Sequence, residues 1–285
     1  MAYLDHVRAC TDWRREEYRP FHLGERRIGW VRHALARRLA DWPTLFTVEG
    51  DAVVLADNLA TADARTTAMQ EVAERLAESG DGPRLRGERY AVVERPGGET
   101  LFTLDRGAVP AFGVLAFGQH VNGVVETADG PSLWIGRRAS DRRVAPDKLD
   151  NLIGGGVPDG LGLEENLVKE SAEEAGLSPD LARTARPVGA ITYAMTVPEG
   201  LRRDVLYLYD LALEADFRPS NTDGEVVEFT LMSAAEAARI VRETADFKFN
   251  VNLVIIDFLA RRGLLDPTEP DYVEILRGLR SDPGC

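Results

Sequence analysis

Apolar positions follow two rhythms along the chain. Between His33 and Trp42, Leu35, Leu39 and Trp42 recur at helical spacing, and Pro43 stops that helix. Phe46-Thr47-Val48 and Val53-Val54-Leu55 flank Glu49-Gly50-Asp51, which predicts a hairpin. From Arg65 to Leu76, the positions Met69, Val72, Ala73 and Leu76 mark an amphipathic helix ending near Gly80. The short patches Pro20–Gly24 and Ile28–Val31 read as a strand pair or as loops on a small sheet, and Tyr90–Val93 reads as a further strand. Beyond Pro110–Gly113, strand-like runs at 113–122, 132–135, 188–193, 205–213 and 226–231 are interleaved with helical patterns at 163–175, 234–244 and 248–262. A basic stretch from Arg137 to Lys148 and a glycine cluster, read as a loop, precede the first of those helices. This interleaving predicts α/β or α+β architecture throughout, divided into an N-terminal unit, 1–110, and a second unit, 111–285.

The length, 285 residues, exceeds what one core usually fills, which agrees with two units. Apolar residues make up 44% and charged residues 28%, so a packed chain is expected rather than a disordered one. The formal net charge of −13 argues against sequence-blind binding to nucleic acid or to anionic lipid. No apolar run approaches the roughly 18–20 residues that span a bilayer; the best candidate, Val251–Ala260, is interrupted by Asn252 and Asp257. The first residues carry no apolar signal core, so a cytoplasmic protein is the expectation. Cys10 and Cys285 sit near opposite ends, so no disulfide framework is expected.

The chemistry concentrates between Gly154 and Leu177. Glu170, Glu173 and Glu174 are spaced i, i+3, i+4 and gather on one side of a helix, with Leu167, Val168, Ser171, Ala172 and Ala175 nearly opposite. Three carboxylates on one face repel unless positive charge lies between them, and oxygen donors at this density suit Mg²⁺ or Mn²⁺. The glycines fit neither common phosphate motif. Gly155 and Gly160 are followed by Leu161-Gly162 rather than Lys-Ser/Thr, and no third glycine completes a dinucleotide fingerprint.

The stretch resembles the Nudix box: Gly, five residues, Glu, seven residues, then Arg-Glu-apolar-x-Glu-Glu-x-Gly-apolar. Gly155 stands as the first glycine and Lys169–Leu177 as the signature end, while Leu161, Lys169 and Ser171 replace the box Glu, Arg and apolar residue. The flanks Arg137-Arg138, Arg142, Pro146 and Leu149-Asp150-Asn151 resemble one branch of the family. So do Arg19-Pro20-Phe21, Gly29-Trp30-Val31, Arg65-Thr66, Asp223–Val226 and Phe247–Asn250; Asp147 stands where that branch usually has Gly. This branch carries an extra N-terminal domain and is similar to the hydrolase domain fused to thiamine pyrophosphokinase in some fungi. The resemblance implies an α/β/α sandwich with a mixed sheet, preceded by a smaller α/β domain for substrate recognition or homodimer formation. It implies a small-molecule diphosphate as substrate, thiamine diphosphate or its oxidised analogues, cleaved to the monophosphate. Nucleoside diphosphate derivatives such as ADP-ribose, or a non-catalytic ligand sensor, are the alternatives.

By the same resemblance Glu170, Glu173 and Glu174 are ligands to Mg²⁺ or Mn²⁺. Glu174 and Glu225 are candidates for the general base. Arg137, Arg142 and Lys148, with Gly155 and Gly156, are candidates for binding the substrate phosphates. Glu165, four residues before Lys169, is placed to pair with it. Phe21 and Trp30 are expected in the core, His22, His33 and His120 are expected to be structural, and Lys248 and Asn250 stand at the start of the last long helix.

Overall fold

The computed structural model describes residues 2–283 except 81 and 223, so Cys285 and Asp223 lie outside the described residues. The N-terminal part runs α1 (Tyr3–Cys10), β1 (Tyr18–Leu23), β2 (Arg26–Arg32), α2 (His33–Leu39), β3 (Phe46–Glu49), β4 (Ala52–Leu55), α3 (Ala62–Glu78), β5 (Arg89–Val92), β6 (Phe102–Asp105) and α4 (Val109–Phe112). Its four-stranded sheet has the order β2-β1-β4-β3, and β5 and β6 form a separate antiparallel pair. The two apolar patches around Gly24 thus form a strand pair, and the Glu49–Asp51 turn closes a hairpin. Phe21, Met69, Val72, Leu76, Phe102 and Phe112 meet in one buried cluster.

The second part is β7 (Leu115–Thr127), β8 (Gly130–Arg138), β9 (Leu149–Asp150), β10 (Ile153–Gly156), α5 (Leu163–Ala175), α6 (Pro179–Ala182), β11 (Arg186–Val197), β12 (Gly200–Ala212), β13 (Val226–Ser233), α7 (Ala234–Glu243), α8 (Phe249–Arg261) and α9 (Tyr272–Gly278). The sheet order is β11-β12-β7-β8-β13, with β10 paired to β7 and β9 to β8. β12 lies parallel to β7 and the other pairs are antiparallel, so the sheet is mixed. Helix α8 is buried along almost its whole length, and its Val251–Leu259 run fills the core on one side of the sheet. Leu167 and Ala175 of α5 pack on the other side with Val121, Trp134 and Leu152. Tyr3, Leu4, Val7 and Cys10 of α1 belong to the α8 cluster, which brings the first helix onto the second sheet. Among the described residues no helix is long and apolar enough to cross a membrane.

The sequence pattern is corrected at two points that matter for the site. The glycine cluster is a strand rather than a loop: Gly154, Gly155 and Gly156 pair in register with His120, Gln119 and Gly118. Their lack of side chains serves close approach. A Cβ on Gly155 would lie 2.5 Å from Glu170 Oε2, and one on Gly154 would lie 2.9 Å from the His120 ring. The buried side of α5 is also rotated from the expected one. It carries Asn166, Leu167, Ser171, Glu174 and Ala175, while Ala172 is exposed. Glu174 is therefore not on an outer acidic face but turned inward beside β10.

Candidate active site

Helix α5 is fixed at both ends. The Glu165 carboxylate accepts from Gly162 N–H at 3.1 Å and caps the first turn, so Glu165 does not pair with Lys169 as expected. Gly176 closes the helix at φ +66°, a left-handed conformation that suits glycine. The loop that follows β12 satisfies the last carbonyls: Ser220 N–H donates to Ala175 C=O, and Thr222 donates to Glu173 C=O through both its N–H and its hydroxyl. This fixes the end of the helix that carries the three glutamates, of which Glu170 and Glu174 lie against β10.

Glu174 is 8% exposed, and its Oε2 accepts from Gly154 N–H at 2.7 Å. Burial, reinforced by the charges of Asp150 and Glu170, pushes its carboxyl up to about 8, against the opposing pull of Gly154 N–H and Lys248. Glu170 lies against Gly155, and burial also raises it, with Glu173 and Glu225 adding to the rise and Lys169 opposing it. Lys169 Nζ lies 3.1 Å from Glu170 Oε1 and 2.7 Å from Glu173 Oε2, so its ammonium bridges two of the three acids.

As the side chains stand, no three acidic, histidine or cysteine groups among the described residues form a ready metal cage. The donor chemistry still fits a hard dication. Three carboxylates crowd one helix turn, two are raised by burial and mutual repulsion, and a cation already stands between Glu170 and Glu173.

The other expected residues divide. Glu225 is ion-paired with Arg142 at 2.5 Å, within electrostatic reach of Glu170. Arg137 donates to Asp147 C=O at 2.9 Å and Lys148 to Ala245 C=O at 2.8 Å, so these two cations brace loops and are not bonded to the acids. Asp147 has φ +57°, which accounts for glycine as the commoner residue there in the resembled branch. Phe21 and Trp30 are core residues, and Trp30 also carries Arg27 over its ring.

Beside the acids lies a second constellation whose connections the chain order does not show. Asp150 is 4% exposed and accepts from Arg138 Nη1 at 2.7 Å and Lys248 Nζ at 3.1 Å. Burial alone would raise its carboxyl, but Lys248, His120 and Arg138 outweigh burial and hold it below the ordinary value. His120 Nδ1 meets Asn151 Oδ1 at 2.9 Å, and burial, with Lys248 nearby, lowers the imidazole to about 4. The Asp150-Asn151 and Lys248–Asn250 motifs were visible in the sequence, but nothing there showed that they meet.

A mixed sheet between two helices, with clustered carboxylates on a helix braced by a glycine strand, defines a hydrolase of Nudix type. The NUDIX domain model matches residues 116–251, and a domain of unknown function, DUF4743, matches 2–116. Nudix hydrolase 24, chloroplastic, of Arabidopsis thaliana is 40% identical over 284 residues, covering 98% of this chain and 78% of the relative. Nudix hydrolase 20, chloroplastic, of the same plant is 37% identical over 274 residues, covering 93% of this chain and 73% of the relative. The solved structure of DR0079 from Deinococcus radiodurans aligns with a TM-score of 0.46 at 20% identity, covering 60% of this chain and 98% of that one. The chain belongs to the Nudix hydrolases, with a DUF4743 domain before the NUDIX domain. Hydrolases of this family generally use divalent metal ions.

Proposed function

We propose that the chain hydrolyses the diphosphate linkage of thiamine diphosphate, or of its oxidised analogues, to the monophosphate, with Mg²⁺ or Mn²⁺ held by Glu170, Glu173 and Glu174. One observation carries the catalytic part: Glu174 is buried against Gly154 N–H among other acids, a position that favours a cation close by. The substrate rests on the resemblance, which runs from Arg19-Pro20-Phe21 to the Phe247–Asn250 segment. A bound divalent ion supplies charge neutralisation at the diphosphate oxygens and a more acidic water.

The chain's own groups do the rest. Lys169 would have to leave Glu170 and Glu173 before their oxygens could hold the ion. Glu174 keeps Oε2 on Gly154 N–H, which leaves Oε1 to take a proton from the attacking water. Glu225, steadied by Arg142, is the alternative proton acceptor.

A panel of diphosphate compounds incubated with the protein and either metal, read by mass, tests this. Release of thiamine monophosphate, with Glu174→Gln inactive, supports the reading. Turnover only of ADP-ribose-like compounds moves the substrate, and no turnover of any diphosphate overturns the proposal.

A further inference from the structure

Asp105, at the end of β6, is 2% exposed, and its carboxylate accepts from three backbone N–H groups: Arg86 at 2.9 Å, Gly87 at 2.8 Å and Gly107 at 2.7 Å. One buried acid thus locks the segment entering β5 to the turn leaving β6, and it presents Arg86 and Arg106 from a rigid base. Arg106 lies 5.5 Å over the Tyr90 ring and pairs with Glu88 at 2.8 Å. Tyr90 is 5% exposed, and its hydroxyl rests on β10; a Cβ on Gly156 would meet Tyr90 Oη at 1.6 Å and Arg106 Cζ at 3.6 Å. Asp159 N–H donates to Arg89 C=O at 2.8 Å, tying the chain between β10 and α5 to the same hairpin.

Among the described residues neither the Tyr90 hydroxyl nor the Arg86 guanidinium has a hydrogen-bond partner. Arg86 is exposed at the mouth of this corner, and partial desolvation with the like charges of Arg106, Arg143 and Arg202 lowers its guanidinium, so positive charge accumulates here in a chain of net charge −13. The cations that the sequence offered for phosphate, Arg137, Arg142 and Lys148, are already engaged elsewhere. Gly156 lies two residues along the strand from Gly154, which holds Glu174, a separation of about 7 Å that a diphosphate can bridge.

We propose that Tyr90 Oη and the Arg86 guanidinium, backed by Arg106, bind the terminal phosphate of the substrate, so that the β5–β6 hairpin of the N-terminal part completes the active site. Arg86 supplies the planar fork that matches phosphate oxygens, and Tyr90 supplies a neutral donor. Asp105 is a positioning residue for both arginines. This deepens the hydrolase reading and rests on it only for the identity of the substrate.

Two measurements test it. With whichever diphosphate the metal-supplemented panel shows to be cleaved, Arg86→Ala raises KM about tenfold or more, as expected for a lost charged hydrogen bond, and kcat falls by less than KM rises. Tyr90→Phe, which keeps the ring and its packing, raises KM by a smaller factor, and Arg86→Lys recovers part of the Arg86→Ala loss. Unchanged KM in both Arg86→Ala and Tyr90→Phe, at wild-type melting temperature, overturns the proposal. The second arm needs no turnover: inorganic pyrophosphate is titrated calorimetrically into the metal-free chain at low salt. Binding that weakens about tenfold in Arg86→Ala supports the clamp, even if no diphosphate is hydrolysed and the hydrolase reading falls. No binding by the wild type, or equal binding by the variant, sinks the clamp and leaves the hydrolase reading untouched.

Discussion

Two buried acids lie on either side of Gly154, and they are treated in opposite ways. Asp150 has two cations within 3.1 Å and is held more acidic than usual. Glu174 has one backbone N–H and two acidic neighbours, and it is held less acidic, at about 8. The first arrangement is electrostatically complete and belongs to the scaffold. The second is short of positive charge as the chain stands, and under the proposed function a bound cation would make up the difference. Burial is nearly the same for both, so the difference arises from the partners each backbone position brings within reach.

Exchange of each acid separates the two kinds of site. Glu174→Gln keeps the Gly154 hydrogen bond through its amide oxygen and removes the ionisable carboxyl, and with it the proton acceptor. Hydrolysis is expected to fall roughly 10²–10⁴-fold, while the metal-free melting temperature holds or rises; a variant that retained activity would erase the contrast. Asp150→Ala strands Arg138 and Lys248 in the interior, and a loss of about 3–5 kcal/mol in urea unfolding is expected.

His120 sharpens the scaffold side. Its imidazole is lowered from 6.5 to about 4 by burial, with the Lys248 charge adding to the effect, so the folded state holds it neutral where the unfolded chain takes up a proton. The stability this confers is complete above pH 6.5 and is lost as pH falls toward 4, a change of roughly 3 kcal/mol. Unfolding measured at several pH values should show that slope in the wild type and a flatter one in His120→Gln. The smallest effect is expected at Ser171, 1% exposed, whose hydroxyl finds no partner among the described residues. Ser171→Ala should be neutral or stabilising by up to about 1 kcal/mol.

The helices and most strands were legible because their periodicity is local. The 3.6-residue rhythm places α5 at Leu163–Ala175, and of the three glutamates marked by their spacing, Glu170 and Glu174 lie against β10. The glycine strand is not legible because glycine carries no strand signal of its own; what makes it a strand is pairing with Gly118–His120, more than thirty residues earlier. The buried face of α5 departs from its apolar pattern for a related reason, since Ala172 and Glu174 are sorted by what they pack against and not by their own polarity. The Asp150–Arg138–Lys248 cluster joins residues up to 110 positions apart, and the Tyr90–Gly156 contact joins two domain models. No pattern within one segment reports such meetings.

The fastening of α5 by Ser220 and Thr222 has a consequence for how this chain tolerates changes in length. Because Ser220 clasps the carbonyl of Ala175 and Thr222 that of Glu173, the loop after β12 holds the end of the acidic helix at two points two residues apart. Extra residues spliced in ahead of Ser220 would bulge outward and leave both clasps in place. A single residue added between Ser220 and Thr222 would put the two clasps out of step without touching any acid.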